Sequence, residues 1–368
     1  KKKSGVSTEV FLVLKPMNKS DYICKAPFTD LEVMDSSRHI CCASWLTKWP
    51  PSNSTPKDAW QSTEAKEVRD SILDGSYRHC NTLCPYLNEL TKTGAPGRLS
   101  PIYRKDKVPA HIQTQIDMHM NGTLTSPQAV IFSMDRSCNL QCPSCRLDLI
   151  MADSSKIRRV KKDIQEIEDS FGKEVTKLTI TGSGDPFISV GFRDFLRNFD
   201  KSKWPKLEYI HLHTNATKWN KKMWNSMKGI HPYVKTCEIS IDAGTKDTYE
   251  NHTRINGKWD ELMDNLKFIN TLPNLNIIKT SFVVQQSNYK EMKMFYDLMV
   301  NTFGGKVNVF FNKIINWGTF SDDEFLKHKV WDETHVEFKE FTKAVNRVLP
   351  ADKAYHNLQE YLNNKQLI

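Results

Sequence analysis

The chain has 368 residues, of which 39% are hydrophobic and 26% charged, and its formal net charge is +9. That length fits two domains, or one large domain with an appendage, and the composition suits a globular chain with a sizeable core rather than a disordered or fibrous one. No apolar run approaches the roughly 18 residues of a membrane span, so no membrane association is expected.

Taken in chain order, the start KKKSGVSTEVFLVLKP joins a basic head to a short apolar run, VFLVL. The run is shorter than the ~7–15 residues of a signal-peptide core. It reads as a tail followed by a first strand, and a cytoplasmic location is expected. Residues 20–90 are turn-rich and carry five of the nine cysteines, at positions 24, 41, 42, 80 and 84. Residues 92–125 read as a linker. From 128 to 315 the pattern changes to short β-rich runs, AVIFSM (129–134), KLTITG (177–182), YIHLHT (209–214), CEISID (237–242), KTSFVV (279–284) and VNVFFN (307–312). Helical patterns lie between them, over 155–171, 191–199, 218–229, 246–271 and 288–302. Strands alternating with helices predict βαβ units and a parallel sheet. Spacing alone does not separate an open Rossmann-type sheet from a partial barrel. Residues 333–366 read as a closing helical region. The one dense basic run, KIRRVKK (156–162), opens an amphipathic helix and reads as a solvated face, so nucleic-acid binding is not expected.

The stretch RSCNLQCPSC (136–145) follows the first of the six strands and holds Cys138, Cys142 and Cys145. A structural zinc site wants four closed ligands. His213 or Cys237 could supply a fourth, but nothing nearby in sequence does, and Cys237 reads better as a buried core thiol. A disulfide would leave one thiol over. Three thiolates in a loop after a strand suit an iron–sulfur cluster with one iron left open. In parallel α/β folds the loops at the C-terminal ends of the strands form the active site.

C-x3-C-x2-C after a first strand resembles the signature of radical S-adenosylmethionine (SAM) enzymes. Ser144 stands where that family commonly has an aromatic residue. The resemblance implies that Cys138, Cys142 and Cys145 hold a [4Fe–4S] cluster and that SAM chelates its open iron. Reductive cleavage of SAM would then give a 5′-deoxyadenosyl radical that abstracts a substrate hydrogen. TGSGDP (181–186) resembles the family's glycine-rich motif, with Gly182, Ser183, Gly184 and Asp185 at the matching places. Glycines let backbone carbonyls approach the SAM ammonium group. HLHTNAT (211–217) and SIDAGTKDTYENHTR (240–254) resemble later family segments. They imply that Ser240 contacts SAM and that Arg254 pairs with its carboxylate. Gln285 and Asn288 match positions that meet the ribose or carboxylate, and INWG (315–318) is placed to flank the adenine.

The first cysteine zone resembles the SPASM/twitch segment of the same superfamily, with Ser36 where the family has a glycine. The segment here precedes the barrel, whereas it commonly follows. Cys24, Cys41, Cys80 and Cys84 are the implied ligands of a second, auxiliary [4Fe–4S] cluster, with Cys42 as the alternative to Cys41. A zinc module with four cysteine ligands is the competing reading. The resemblance implies an α/β fold, a partial (β/α)6 TIM-like barrel preceded by a small twitch-type iron–sulfur domain. The expected division is 1–91 for the auxiliary domain, 92–125 for the linker, 126–320 for the barrel and 321–368 for a helical end. The implied activity is that of a radical SAM enzyme and oxidoreductase that dehydrogenates a small molecule or sugar. The alternatives are modification of a ribosomal peptide and a non-catalytic zinc or nucleic-acid-binding protein. An electron donor such as flavodoxin or ferredoxin is the expected partner. No residue in the sequence marks a catalytic base.

Overall fold

The computed structural model describes residues 18–97, 100–181, 183–349, 351–358 and 361–362. The expected strand at VFLVL lies outside the described residues. A nine-stranded sheet dominates the molecule, and its spine is six parallel strands in chain order: β5 (Ala129–Phe132), β6 (Lys177–Ile180), β7 (Tyr209–Thr214), β8 (Val234–Ser240), β9 (Ile277–Val284) and β10 (Val307–Lys313). Each agrees with a β-rich run of the sequence to within a few residues.

Alternation along these strands gives the sheet two unlike faces. Val130, Phe132, Leu178, Ile180, Ile210, Leu212, Cys237, Ile239, Val309 and Phe311 are buried on one face. They pack against Val160, Ile164 and Ile167 of the helix Ser154–Phe171, Phe192 and Leu196 of Val190–Arg197, Leu262 and Leu266 of Trp259–Asn270, and Phe295 and Met299 of Met292–Phe303. The other face is mostly half-buried and, along its middle strands, polar: Lys177, Thr179, His211, His213, Glu238, Ser240, Lys279 and the buried Ser281. Period-2 burial explains both faces, since consecutive side chains leave a strand on opposite sides.

The expected helix over 246–271 is broken. A single turn, Lys246–Thr248, runs into a π-turn at Tyr249–Thr253, and the next helix begins only at Trp259. Asn256 has φ 71°, and a Cβ at Gly257 would lie 2.4 Å from Tyr249 Cε1, so this turn packs too closely to continue as an α-helix. The 218–229 pattern shortens to Lys221–Asn225, capped by the Asn220 side chain. The closing region contains a helix, Phe338–Val348, but then returns as β11 (Ala354–His356), parallel to β10. Tyr355 stacks on Phe310 at 4.9 Å, so sheet pairing and an aromatic contact override the helical expectation there.

On the opposite edge the N-terminal region joins the sheet. β2 (Asp30–Val33) pairs parallel with β5, and β3 (Arg38–His39) returns antiparallel to β2. Two further strands, β1 (Tyr22–Cys24) and β4 (Ile102–Arg104), form a separate antiparallel pair. The 92–125 stretch, expected as a linker, thus holds β4 and the helix Ala110–Met120. Ile102, Ile112 and Ile116 from it share a second core with Tyr22, Ile23, Phe28, Ile72, Tyr77, Leu87 and Leu90. Among the described residues no helix is long and apolar enough to cross a membrane.

Candidate functional site

The loops leaving the C-terminal ends of β5 to β9 interlock. Asp135 Oδ1 accepts from the Ser137 N–H at 2.8 Å, which turns the chain sharply after β5. The Cys138 N–H donates to the Ile150 carbonyl (2.9 Å), closing the cysteine loop, and the Cys145 and Arg146 N–H groups both donate to the Cys142 carbonyl. Cys138 and Cys142 are buried and Cys145 is exposed.

Each of these three thiols meets one side-chain N–H donor at 3.4 Å, and Cys138 also meets the Leu140 N–H. Asn215 Nδ2 faces Cys138, Arg254 Nη1 faces Cys142 and Arg146 Nη2 faces Cys145. Burial pushes the Cys138 and Cys142 thiols up, and the guanidinium of Arg254 works against this at both. Arg254 in turn binds Asp242 (Nη2–Oδ2 2.6 Å). The sequence resemblance offered Arg254 to a SAM carboxylate, whereas here it is occupied by Asp242 and Cys142. The π-turn just before it brings its side chain back to the cysteine loop, a common use of such turns near functional sites.

The TGSGDP turn closes on the same loop. A Cβ at Gly184 would lie 2.4 Å from the Asp135 carbonyl oxygen and 2.8 Å from that of Ser137, so glycine is required by contact. Ser183 Oγ donates to the Ser133 carbonyl at 2.7 Å. The Asp185 N–H donates to Ser137 O. The Asp185 carboxylate is turned inward and accepts from Phe187 N–H, Thr214 Oγ and Asn215 N–H at 2.7–2.9 Å. It straps the β6 turn to the end of β7, and burial raises its pKa despite those donors. Gly182 lies outside the described residues.

The remaining candidates separate. Ser240 Oγ lies 3.1 Å from His213 Nε2, on the polar face. Gln285 and Asn288 are buried. Asn288 Oδ1 accepts from Gln285 N–H, and its Nδ2 donates to the carbonyls of Asp242 and Val283. It therefore braces the β9 turn against the strained Asp242, whose φ is 61°.

The N-terminal thiols also gather. Cys41 lies close enough to feel the charge of Cys24, Cys84, Cys42 and Cys80. Cys24 likewise feels Cys80 and Cys84. Cys42 instead faces Glu32 and, more weakly, Cys84. The quartet of Cys24, Cys41, Cys80 and Cys84 is thus brought together, with Cys42 at its margin. Burial pushes both Cys24 and Cys80 up to about 12. Cys84 begins the helix Pro85–Thr93, where the N–H groups of Leu87 and Tyr86 oppose burial at its thiol. Among the described residues no group of three or more His, Cys, Asp or Glu side chains converges on a single metal position.

Sequence reasoning missed Arg146, Asn215 and the polar face. Glu238 is held below the ordinary carboxylate range: burial works to raise it, but His213, the Ser281 hydroxyl, Lys279 and His211 outweigh that. His213 Nε2 stands 3.9 Å from Glu238 Oε1. Tyr86, beside Cys84, feels the charge of both that cysteine and Glu238. The H-x-H spacing of His211 and His213 was the available signal, because alternate residues of a strand share a face.

No protein-family model matches the chain and no curated protein matches it. Solved structures similar to it include SuiB of Streptococcus suis bound to S-adenosylmethionine, at 13% identity and TM-score 0.43, covering 68% of this chain and 57% of that one. Native anSMEcpe with bound AdoMet is similar at 16% identity and TM-score 0.37, with 52% of each chain covered. TYW1 with a lysine-pyruvate adduct is similar at 12% identity and TM-score 0.35, covering 60% of this chain and 74% of that one. The chain spans less than three fifths of the length of the SuiB and anSMEcpe structures named here.

Proposed function

We propose that the protein is a radical SAM enzyme. In this reading the parallel sheet is a partial (β/α)6 barrel, Cys138, Cys142 and Cys145 hold a [4Fe–4S] cluster, and Cys24, Cys41, Cys80 and Cys84 hold a second one. The observation that carries the reading is the contact of the glycine turn with the three-thiol loop at the C-terminal edge of the sheet. Gly184 stands against the Asp135 and Ser137 carbonyls, and Arg146 ties the Ser183 carbonyl to Cys145. Three thiols, three side-chain N–H donors and a backbone turn are the parts that a cluster with an open iron uses.

When bound, the cluster supplies one electron to SAM, whose cleavage yields the radical that removes a substrate hydrogen. The chain's own residues do the rest. Arg254, Arg146 and Asn215 hold the thiol side chains in place. Asp185 fixes two strand ends around them. The polar face receives a hydrophilic small molecule or sugar, and a proton lost in its net oxidation passes to His213 Nε2, with the ionised Glu238 stabilising the cation. Cys24, Cys41, Cys80 and Cys84 would hold the group that supplies an acceptor for the accompanying electron, and a flavodoxin- or ferredoxin-type protein would be the electron donor.

A peptide substrate is the second reading. Leu147, Leu149 and Met151, directly after Cys145, are 64%, 52% and 60% exposed, an apolar rim that a peptide side chain would cover. The test is anaerobic isolation followed by reduction in the presence of SAM. Roughly eight irons per chain and release of 5′-deoxyadenosine are expected for two such clusters. Colourless protein with stoichiometric zinc in both cysteine zones overturns the proposal. Deuterated sugars and peptides, screened for label transfer into the nucleoside, then separate the two substrate classes.

A further inference from the structure

Arg146 is only 6% exposed. Nη1 donates to the Arg136 carbonyl at 2.8 Å, and Nη2 donates to the Ser183 carbonyl at 3.1 Å and to Cys145 Sγ at 3.4 Å. Nε is buried without a partner. Among the described residues no carboxylate lies within ion-pairing distance of this guanidinium. Other buried arginines are treated differently. Arg38 is paired with Asp163 at 2.7 Å and Arg254 with Asp242 at 2.6 Å. Arg69 lies over the Trp60 ring at 4.3 Å and donates to two carbonyls.

An unpaired cation taken out of water costs several kcal/mol; two carbonyls and the Trp60 ring offset that for Arg69, whereas Arg146 has two carbonyls and, in place of a ring, the sulfur of Cys145. The groups facing Arg146 are Cys145, Cys138 and Cys142. As neutral thiols they supply no charge; as ligands of an anionic cluster they do. Two other side-chain donors reach this centre, but Asn215 is neutral and the charge of Arg254 is matched by Asp242. The buried Asp185 carboxylate also faces Cys138, which leaves Arg146 as the cation beside the three thiols that no carboxylate pairs.

We propose that Arg146 is the charge-balancing residue of the three-thiol centre. It holds the exposed Cys145 against the Ser183 turn and makes the more negative, reduced state of the bound cluster easier to reach. The inference rests on the cluster reading given above. Its direction is electrostatic: one-electron reduction adds one negative charge, which a nearby fixed cation stabilises more in the reduced state than in the oxidised one.

The test compares wild type, Arg146→Gln and Arg146→Lys, reconstituted anaerobically with iron and sulfide and reduced stepwise with dithionite. The paramagnetic signal that changes on adding SAM identifies the three-thiol centre. Arg146→Gln is expected to make its reduction less favourable by at least tenfold, a potential lower by about 59 mV for a one-electron couple. Arg146→Lys, which keeps the charge, is expected to recover more than half of that shift. Loss of the SAM-responsive cluster in Arg146→Gln but not in Arg146→Lys also supports charge balancing. A fully assembled Arg146→Gln centre with wild-type potential overturns the proposal, as do equal shifts in both variants. Loss of the cluster from both variants, with circular dichroism unchanged, makes Arg146 a brace only and overturns it too. Wild-type protein without any SAM-responsive cluster would instead bring down the cluster reading itself.

Discussion

The two cysteine groups are built from the same side chain and both are raised by burial, but they differ in the charged side chains beside them. The loop 138–145 is ringed by donors, with an amide, an ion-paired guanidinium and an unpaired one each meeting a sulfur, and one of its three thiols is exposed. In the N-terminal group Cys24, Cys80 and Cys84 pack beside an apolar core of Tyr22, Ile23, Phe28 and Leu87, with Cys41 against the main sheet core, and the opposing donors at Cys24 and Cys84 are backbone N–H groups rather than side-chain cations. Donors and a cation favour a centre that gains negative charge and keeps a position open. Apolar packing favours a closed centre whose ligands are all protein.

The largest effect that would break this contrast comes from removing a thiol. Cys142→Ala is expected to abolish SAM cleavage, with roughly four irons per chain retained at the quartet; iron analysis and a 5′-deoxyadenosine assay check both parts. Cys24→Ala should do the reverse, keeping SAM cleavage while losing the quartet's iron. Cys42→Ala should keep all the iron, because Cys42 sits at the quartet's margin; iron loss there equal to that of Cys41→Ala would reassign the ligand.

Next in size is Arg254→Met. It leaves Asp242 buried and unpaired, a loss of about 3–5 kcal/mol readable as a lower denaturation midpoint. Gly184→Ala drives a methyl group into the Asp135 carbonyl and is expected to cost about 1–3 kcal/mol, by the same measurement.

The smallest effect concerns the polar face of the sheet. Burial, with His213 and Lys279 adding to it, lowers the pKa of His211 to about 3. The unfolded chain therefore binds a proton near pH 6.5 that the folded one refuses, so stability falls as pH drops from about 6.5 toward 3. His211→Gln should remove one proton's worth of that slope in denaturation curves compared between pH 5 and 7.

Much of this was legible in the chain. The six central strands were visible because period-2 alternation and β-branched content are local properties. The three cysteines and the glycine turn announced themselves by spacing. The π-turn before Arg254 was not legible, since Tyr249 and Gly257 meet only after the chain has folded back. Nor was β11, whose pairing with β10 joins segments some 45 residues apart.

Local pattern was enough to mark the six central strands and to place Cys138, Cys142 and Cys145 in the loop after the first of them. Only the tertiary structure decided what surrounds each sulfur. It gave Arg254 to Asp242 and Cys142, made Asp185 a strap and Asn288 a brace, and left Arg146 buried beside three thiols without a carboxylate. The physical reason is that charge pairing and desolvation depend on which loops meet at the sheet's edge, and no local spacing encodes that meeting.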